Sequence, residues 1–381
     1  VTLIVGASAA GLATAEALRR KGHTGPLTIL GAEPHLPYDR PPLSKQVLSG
    51  AWEPARSQLR SAEALAALDA SFVLGDPAVH LDVAERAVHT ASGRVFRADN
   101  IVLATGLRPR TLSGRPTLRT LDDALALRTK LLECSRAVVV GDGVLGSEIA
   151  ATARQLGVPV TLAGPQQAPM ALQLGPFVAG LLADLHTSNG VELRLGAAVT
   201  GVGDGVRLET GEVLPADLVV VAFGSAPATE WLRDSGLHLD NGIVCDSRCR
   251  AAEGIYAAGD VARWHHETLG TLVRLENRTN ATEQGIAVAA NLLGADEPYT
   301  PVPYFWTDQF DAKIHVHGFV GPDVSVVEGD VAERRFVTRY HRDGEVVGVL
   351  GWNMPKQARQ HRQSITPSCR ATVAASTPGG A

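Results

Sequence analysis

Cysteine is scarce in this chain of 381 residues, which has only Cys134, Cys245, Cys249 and Cys369. None of them forms a C-x-x-C pair, so a disulfide framework and a zinc-binding framework are both excluded. No uninterrupted apolar run reaches the roughly 18 residues of a membrane-spanning helix. The N-terminus runs straight into an apolar strand instead of a signal peptide, and a cytoplasmic location is expected. An excess of basic charge is also missing: Lys and Arg number 35 against 40 Asp and Glu, a net charge of -5 that argues against general nucleic-acid binding. What remains is a chain with 45% hydrophobic and 20% charged residues, which excludes disorder and fits a globular α/β protein of two or three domains. The charge is uneven, because residues 334–370 carry Arg334, Arg335, Arg339, Arg342, Lys356, Arg359, Arg362 and Arg370 against only Asp343 and Glu345.

The chain repeats itself. Apolar residues 2–5 lead into GASAAG at 6–11 and a helical run at 12–20; apolar residues 137–140 lead into GDGVLG at 141–146 and a helical run at 147–156. Each copy also ends alike. Residues 88–106 match 206–224 position for position, with Ser92-Gly93 and Thr210-Gly211 as hairpin turns before an apolar run that stops at Gly106 or Gly224. Two copies of one dinucleotide-binding unit are predicted.

A strand, a glycine turn and a helix N-terminus can solvate a pyrophosphate, because free N–H groups and the helix dipole meet the anion where no side chain intervenes. The first glycine makes the turn, the second position admits the phosphate and the third lets helix pack on strand. The second copy has Gly141, Gly143 and Gly146. The first has Gly6 and Gly11 with Ser8 between them. Such turns also serve simple packing, and it is their repetition that favours the nucleotide reading. After the first copy, Glu33 lies about 20 residues past Gly11, where a carboxylate would accept the ribose hydroxyls. After the second, the strand at 160–162 runs into Ala163-Gly164-Pro165-Gln166 with no acid, leaving cofactor choice there open.

Taken with PYDRPPLSK at 37–45, ATG at 104–106, GDGVLGSE at 141–148, IYAAGD at 255–260, RLE at 274–276 and YFWTDQ at 304–309, the chain resembles the FAD-containing NAD(P)H-dependent ferredoxin reductases of bacterial cytochrome P450 and Rieske dioxygenase systems. The resemblance implies an α/β fold like that of glutathione reductase. Residues 1–107 and 226–300 would bind FAD, 108–225 would bind NADH or NADPH, and 301–381 would form a C-terminal α+β domain. It further implies nucleotide contacts at Ala10, Arg40, Val79, Ala104, Thr105, Gly106, Val144, Leu145, Gly224, Gly259 and Glu276.

Lys45 resembles the family ammonium that stabilises negative charge on the reduced flavin, Asp260 the acid on the ribityl chain, Glu148 the acid facing the nicotinamide, and Trp306 the aromatic at the flavin's dimethylbenzene edge. Each has a plainer alternative: surface for Lys45, helix capping for Asp260, an ordinary first-turn acid for Glu148, core packing for Trp306. His265, His266, His315 and His317 lack metal-ligand spacing and read as structural. Three positions depart from the family: Gly164 where it commonly has an acid, Leu172 where it often has a base, and Arg278 where it often has Trp.

The expected activity is hydride transfer from NADH, with NADPH left open, onto FAD, followed by single-electron transfer to an acidic [2Fe–2S] ferredoxin that serves an oxygenase. A disulfide reductase would need a redox cysteine pair, and Cys245 and Cys249 have the wrong spacing. The alternatives are an NADH oxidase with a non-protein acceptor and an NAD-sensing flavoprotein like apoptosis-inducing factor. Neither nucleic acid nor membrane is an expected partner.

Overall fold

The computed structural model describes residues 1–112 and 114–366; Cys369, Arg370 and the end of the expected C-terminal domain lie outside these described residues. Both glycine-turn copies fold around parallel strands, the first sheet adding one antiparallel edge strand, Arg250–Ala252. In the first, Thr2–Val5 lies between Leu27–Gly31 and Asn100–Leu103, and the order is completed by Ser71–Leu74 on one side and Ile255–Ala257 and Arg250–Ala252 on the other. In the second, Ala137–Val140 lies between Val160–Gly164 and Leu218–Val221, with Val191–Leu195 at one edge. The central strands are buried along their whole length, which is why they read as unbroken apolar runs instead of alternating ones. Each sheet carries the same three-stranded antiparallel appendage, inserted in the chain just before the strand Asn100–Leu103 or Leu218–Val221. Its hairpin turns at Gly93 and Gly211 have φ of +85° and +89°.

The helices begin three residues earlier than their apolar runs suggest, at Ala9–Arg20 and Val144–Gln155. The third glycine of each turn therefore sits inside the first helical turn. A Cβ on Gly11 would lie 1.9 Å from the Gly6 carbonyl oxygen, and one on Gly146 would lie 1.7 Å from that of Gly141. Neither contact is physically possible, so glycine is what lets each helix close on its strand. The first unit is tightened further by the helix Arg278–Leu292, which crosses Ala9–Arg20 so closely that a Cβ on Gly285 would lie 2.6 Å from the Ala10 carbonyl.

The chain passes between the units through Leu107–Pro109 and returns through Ser225–Pro227, and these two segments pair as an antiparallel ribbon. Beyond them stands a five-stranded antiparallel sheet in the order Tyr304–Gln309, Ala312–Gly318, Glu345–Trp352, Arg335–Arg342, Asp323–Asp330. One face packs Phe336, Tyr340 and Trp352 against the helix Ala171–Ser188, which breaks at Gly175 and Pro176. The other face packs Val337 and Val349 against the short helix Pro355–His361. Alternation along Arg335–Arg342 divides the basic stretch between these faces. Arg339 donates toward His361 Nδ1 at 3.0 Å, whereas Arg342 donates to the Val320 carbonyl.

Candidate active site

Three distant segments converge on one carboxylate. The proline-rich segment forms the 3₁₀ turn Pro41–Ser44 and the helix Gln46–Ser49, and Lys45 between them has a non-helical backbone that turns its side chain inward. Lys45 Nζ lies 2.7 Å from Glu148 Oε2, and the Ser44 hydroxyl donates to the same oxygen at 2.5 Å. From the C-terminal sheet, Thr307 Oγ1 donates to Glu148 Oε1 at 2.7 Å. The helix carrying Glu148 is bound to the proline-rich segment a second time, because Thr152 Oγ1 donates to the Ser44 carbonyl at 2.7 Å. The Lys45 and Glu148 side chains are 12% and 6% exposed. A buried ion pair of this kind holds its geometry because each charge left alone would be strongly disfavoured. Behind Thr307, Gln309 Nε2 donates to Thr307 Oγ1 at 3.0 Å, and Gln309 Oε1 pairs with His186 Nε2 at 2.7 Å. Burial holds the His186 imidazole below its ordinary pKa.

Further candidate residues lie around the first glycine turn, beside the N-terminus of Ala9–Arg20. Ser8 stands at the N-terminus of Ala9–Arg20 without capping it, which leaves that helix end free for an anion. Gly259 approaches the same turn: a Cβ there would lie 3.0 Å from the Ala10 Cβ. Burial raises the Asp260 pKa, opposed by Arg119, whose guanidinium lies 3.7 Å away. The Arg274 guanidinium donates to the Asp260 backbone carbonyl and pairs with Glu276 at 2.7 Å. Glu33 is already engaged, pairing with Arg40 at 2.7 Å and accepting a hydrogen bond from the Tyr38 hydroxyl. Burial pushes the Tyr38 hydroxyl up to about 12, so it is a donor at neutral pH. A carboxylate has room for about four hydrogen bonds, so Glu33 keeps acceptor capacity beyond its contacts with Arg40 and Tyr38.

Gly6, Gly106, Gly141 and Gly224 all take the positive φ that their turns require. Ala104 and Ala222 abut Gly6 and Gly141, and Thr105 donates to the Ala228 carbonyl at 2.9 Å. At the second turn, Gly143 has open space above it and caps Val144–Gln155 with no side chain; Val144 and Leu145 open that helix. Val79 is exposed on the first antiparallel appendage, on the strand Ala78–Asp82. Trp306 neighbours Thr307 but faces the other way, stacked on Tyr304 at 6.0 Å, and Tyr304 stacks in turn on His317 at 4.6 Å. Arg278 pairs with Asp39 at 2.5 Å.

Ser44, Thr307 and Gln309 were not foreseen from the sequence. Ser44 and Thr307 meet Glu148 across separations of more than 100 residues, Gln309 backs Thr307 without touching the carboxylate, and no local spacing encodes either contact. Cys245 and Cys249 are free and buried, and burial pushes both thiols up, away from the reactive thiolate form. Among the described residues, no group of three His, Cys, Asp or Glu could hold a metal, and no helix is long and apolar enough to cross a membrane.

Residues 2–285 match the family model described as pyridine nucleotide-disulphide oxidoreductase, and residues 304–377 match the one described as reductase C-terminal. The chain is 36% identical over 379 residues to the ferredoxin–NAD(+) reductase component of an anthranilate 1,2-dioxygenase system from Burkholderia cepacia, covering 95% of this chain and 93% of the relative. It is 35% identical to rhodocoxin reductase of Rhodococcus erythropolis, covering 95% and 88% of the two. The crystal structure of the ferredoxin reductase for the CYP199A2 system from Rhodopseudomonas palustris superposes with a TM-score of 0.91 at 33% identity, covering 96% of each chain.

Proposed function

The chain belongs to the pyridine nucleotide-disulphide oxidoreductase family, among its ferredoxin reductases, and from that premise we propose that it moves electrons from NADH through FAD to a [2Fe–2S] ferredoxin serving a cytochrome P450 or a Rieske oxygenase in the cytoplasm. One observation carries the reading: a buried Lys45–Glu148 pair where the two glycine-turn units meet, held from the third unit by Thr307. Bound FAD supplies the chemistry of accepting a hydride and releasing its electrons one at a time.

The protein's own residues do the rest. The turn at Gly6, Ser8 and Gly11 takes the pyrophosphate of FAD, Glu33 its adenosine ribose and Asp260 its ribityl hydroxyls. The turn at Gly141, Gly143 and Gly146 takes the pyrophosphate of the hydride donor. Lys45 sets a fixed positive charge where negative charge accumulates on reduction, in a site dry enough for that charge to count. Glu148 orients the ammonium and presents a carboxylate edge toward the nicotinamide. Trp306 lies on the exit side, toward an electron acceptor. In this division residues 1–107 and 226–300 serve FAD, 108–225 the nicotinamide and 301–381 the acceptor.

The test is steady-state cytochrome c reduction by NADH, with FAD-loaded protein, with and without [2Fe–2S] ferredoxins of the host. Turnover that depends strongly on one ferredoxin is expected. Equal turnover without ferredoxin would make the protein an oxidase for small acceptors, and no turnover with any partner would assign it a binding role.

A further inference from the structure

The strand end of the second unit lacks the acid that reads ribose in the first, yet a carboxylate stands there all the same. The two copies can be compared atom by atom because their turns and strands share one register. In the first copy the strand ends at Gly31, the second turn residue is Ala7, and the ribose acid is Glu33. The corresponding residues of the second copy are Gly164, Asp142 and Gln166. A Cβ built on Gly31 would lie 2.9 Å from the Ala7 Cβ, so the second turn residue leans on the strand end. A Cβ built on Gly164 would lie 2.3 Å from Asp142 Oδ2. The carboxylate that the strand end lacks is delivered to the same place from the glycine turn, and the bare glycine is what leaves it room.

That carboxylate is held, not loose. The Gln166 backbone N–H donates to Asp142 Oδ2 at 2.7 Å, and the Gln166 side-chain amide donates to Oδ1 at 2.7 Å. The amide cannot turn round, because its Oε1 accepts the Leu172 N–H at 2.8 Å. Asp142 is 4% exposed, and each of its oxygens keeps a lone pair for a further donor. From Ala163 to Leu174 there is no Lys or Arg, so a 2′-phosphate brought here would meet a fixed negative charge and no cation from this loop.

We propose that Asp142 selects the hydride donor, accepting hydroxyls of its unphosphorylated adenosine ribose and repelling a 2′-phosphate, with Gln166 as the positioning residue. The inference rests on the second unit being the nicotinamide site. It corrects the view that this unit has no ribose acid: the acid has moved from the loop after the strand into the turn before the helix, and an amide stands where the first unit has Glu33. Discrimination against NADPH follows from it, where the strand end alone implies little.

The experiment is isothermal titration of the FAD-loaded protein with ADP-ribose and with 2′-phospho-ADP-ribose, fragments that cannot reduce the flavin. The wild-type protein is expected to bind ADP-ribose at least about tenfold more tightly, the order of effect of a charge-assisted hydrogen bond. Asp142→Asn keeps the shape and the contact with the Gln166 N–H but removes the charge, and it should collapse that ratio toward one, mainly by weakening ADP-ribose. Gln166→Met removes the amide without touching the acid and should lower the ratio by a smaller factor, which serves if the first variant does not fold. A ratio unchanged in a folded Asp142→Asn protein, or unchanged in Gln166→Met where that variant stands alone, would overturn the assignment and leave Asp142 as a loop staple. Equal binding of both fragments by the wild type would also overturn it. Failure of either fragment to bind the wild type would instead remove the nicotinamide site from this unit.

Discussion

Glu148 receives a proton donor or a positive charge from Ser44, Lys45 and Thr307, and its position is therefore over-determined. Removing Lys45 leaves a buried carboxylate with two hydroxyl donors, so Lys45→Ala should slow flavin reduction in stopped-flow measurements while FAD stays bound, since the adenine end is untouched. An unchanged reduction rate would make Lys45 structural. Truncating one partner of such a pair typically costs about 3–5 kcal/mol, and the melting temperature should record part of that. A second residue-scale expectation concerns acid. His317 packs on Tyr304 near Arg359 and Arg362, and burial, followed by the charges of Arg362, His315 and Arg359, pushes its imidazole down to about 4. The unfolded chain takes up this proton more readily, so stability is full above about pH 6.5 and falls as pH drops toward 4, by up to roughly 3 kcal/mol. His317→Gln should shrink the drop in melting temperature between pH 7.5 and pH 5; an equal drop in both proteins would put the acid sensitivity elsewhere. Much of this scale was legible in advance only through resemblance: Lys45, Glu148 and Asp260 stand in motifs. Their partners do not, because a contact such as Thr307 to Glu148 is made by tertiary packing and leaves no local pattern.

Elements were far more legible, because each copy of the strand, turn and helix repeats one set of steric demands. Apolar runs at 2–5 and 137–140 became central strands, and the Ser92-Gly93 and Thr210-Gly211 pairs became hairpin turns. The helix starts were misjudged for a physical reason: the turn glycines lack apolar side chains, so periodicity began only after them. The three glycines of one turn are separable in their work. Gly146→Ala would force a Cβ onto the Gly141 carbonyl, a backbone contact with no room to yield, and should cost about 3 kcal/mol or more. Gly143→Ala meets nothing within 4 Å and has φ of -78°, so it should melt like the wild type. Its methyl group would nevertheless stand where a pyrophosphate must approach, and the KM for NADH should rise by roughly tenfold. Normal NADH kinetics in Gly143→Ala would show that the second turn does not hold the donor's phosphates.

At the scale of the whole molecule, the basic stretch does not make one continuous face, since the sheet sends Arg339 and Arg342 to opposite sides. Arg359 and Arg362 do converge, lining a cavity of about 250 Å³ with Tyr304, His315 and His317, one stacked ring away from Trp306. Steering of an acidic ferredoxin to this spot should weaken as ionic strength rises through about 0.1 M, where the Debye length is about 10 Å. Reversing Arg359 and Arg362 to Glu should raise the KM for ferredoxin and leave ferricyanide turnover alone; equal effects on both acceptors would place docking on another surface. The antiparallel ribbon of Leu107–Pro109 and Ser225–Pro227 bears on a different matter, the order in which the protein is made. The sheet built on Ala137–Val140 has all its strands once residue 221 has been synthesised, whereas the sheet that begins at Thr2–Val5 must wait for Ile255–Ala257, and its packing helix for residue 292. Emerging from the ribosome, the later-encoded sheet is therefore complete first, and the N-terminal half stays an open sheet edge until much of the chain is out. A chain truncated after residue 235 should show protease resistance across 137–221 while 1–107 is cut, and the reverse order of protection would contradict this sequence of assembly.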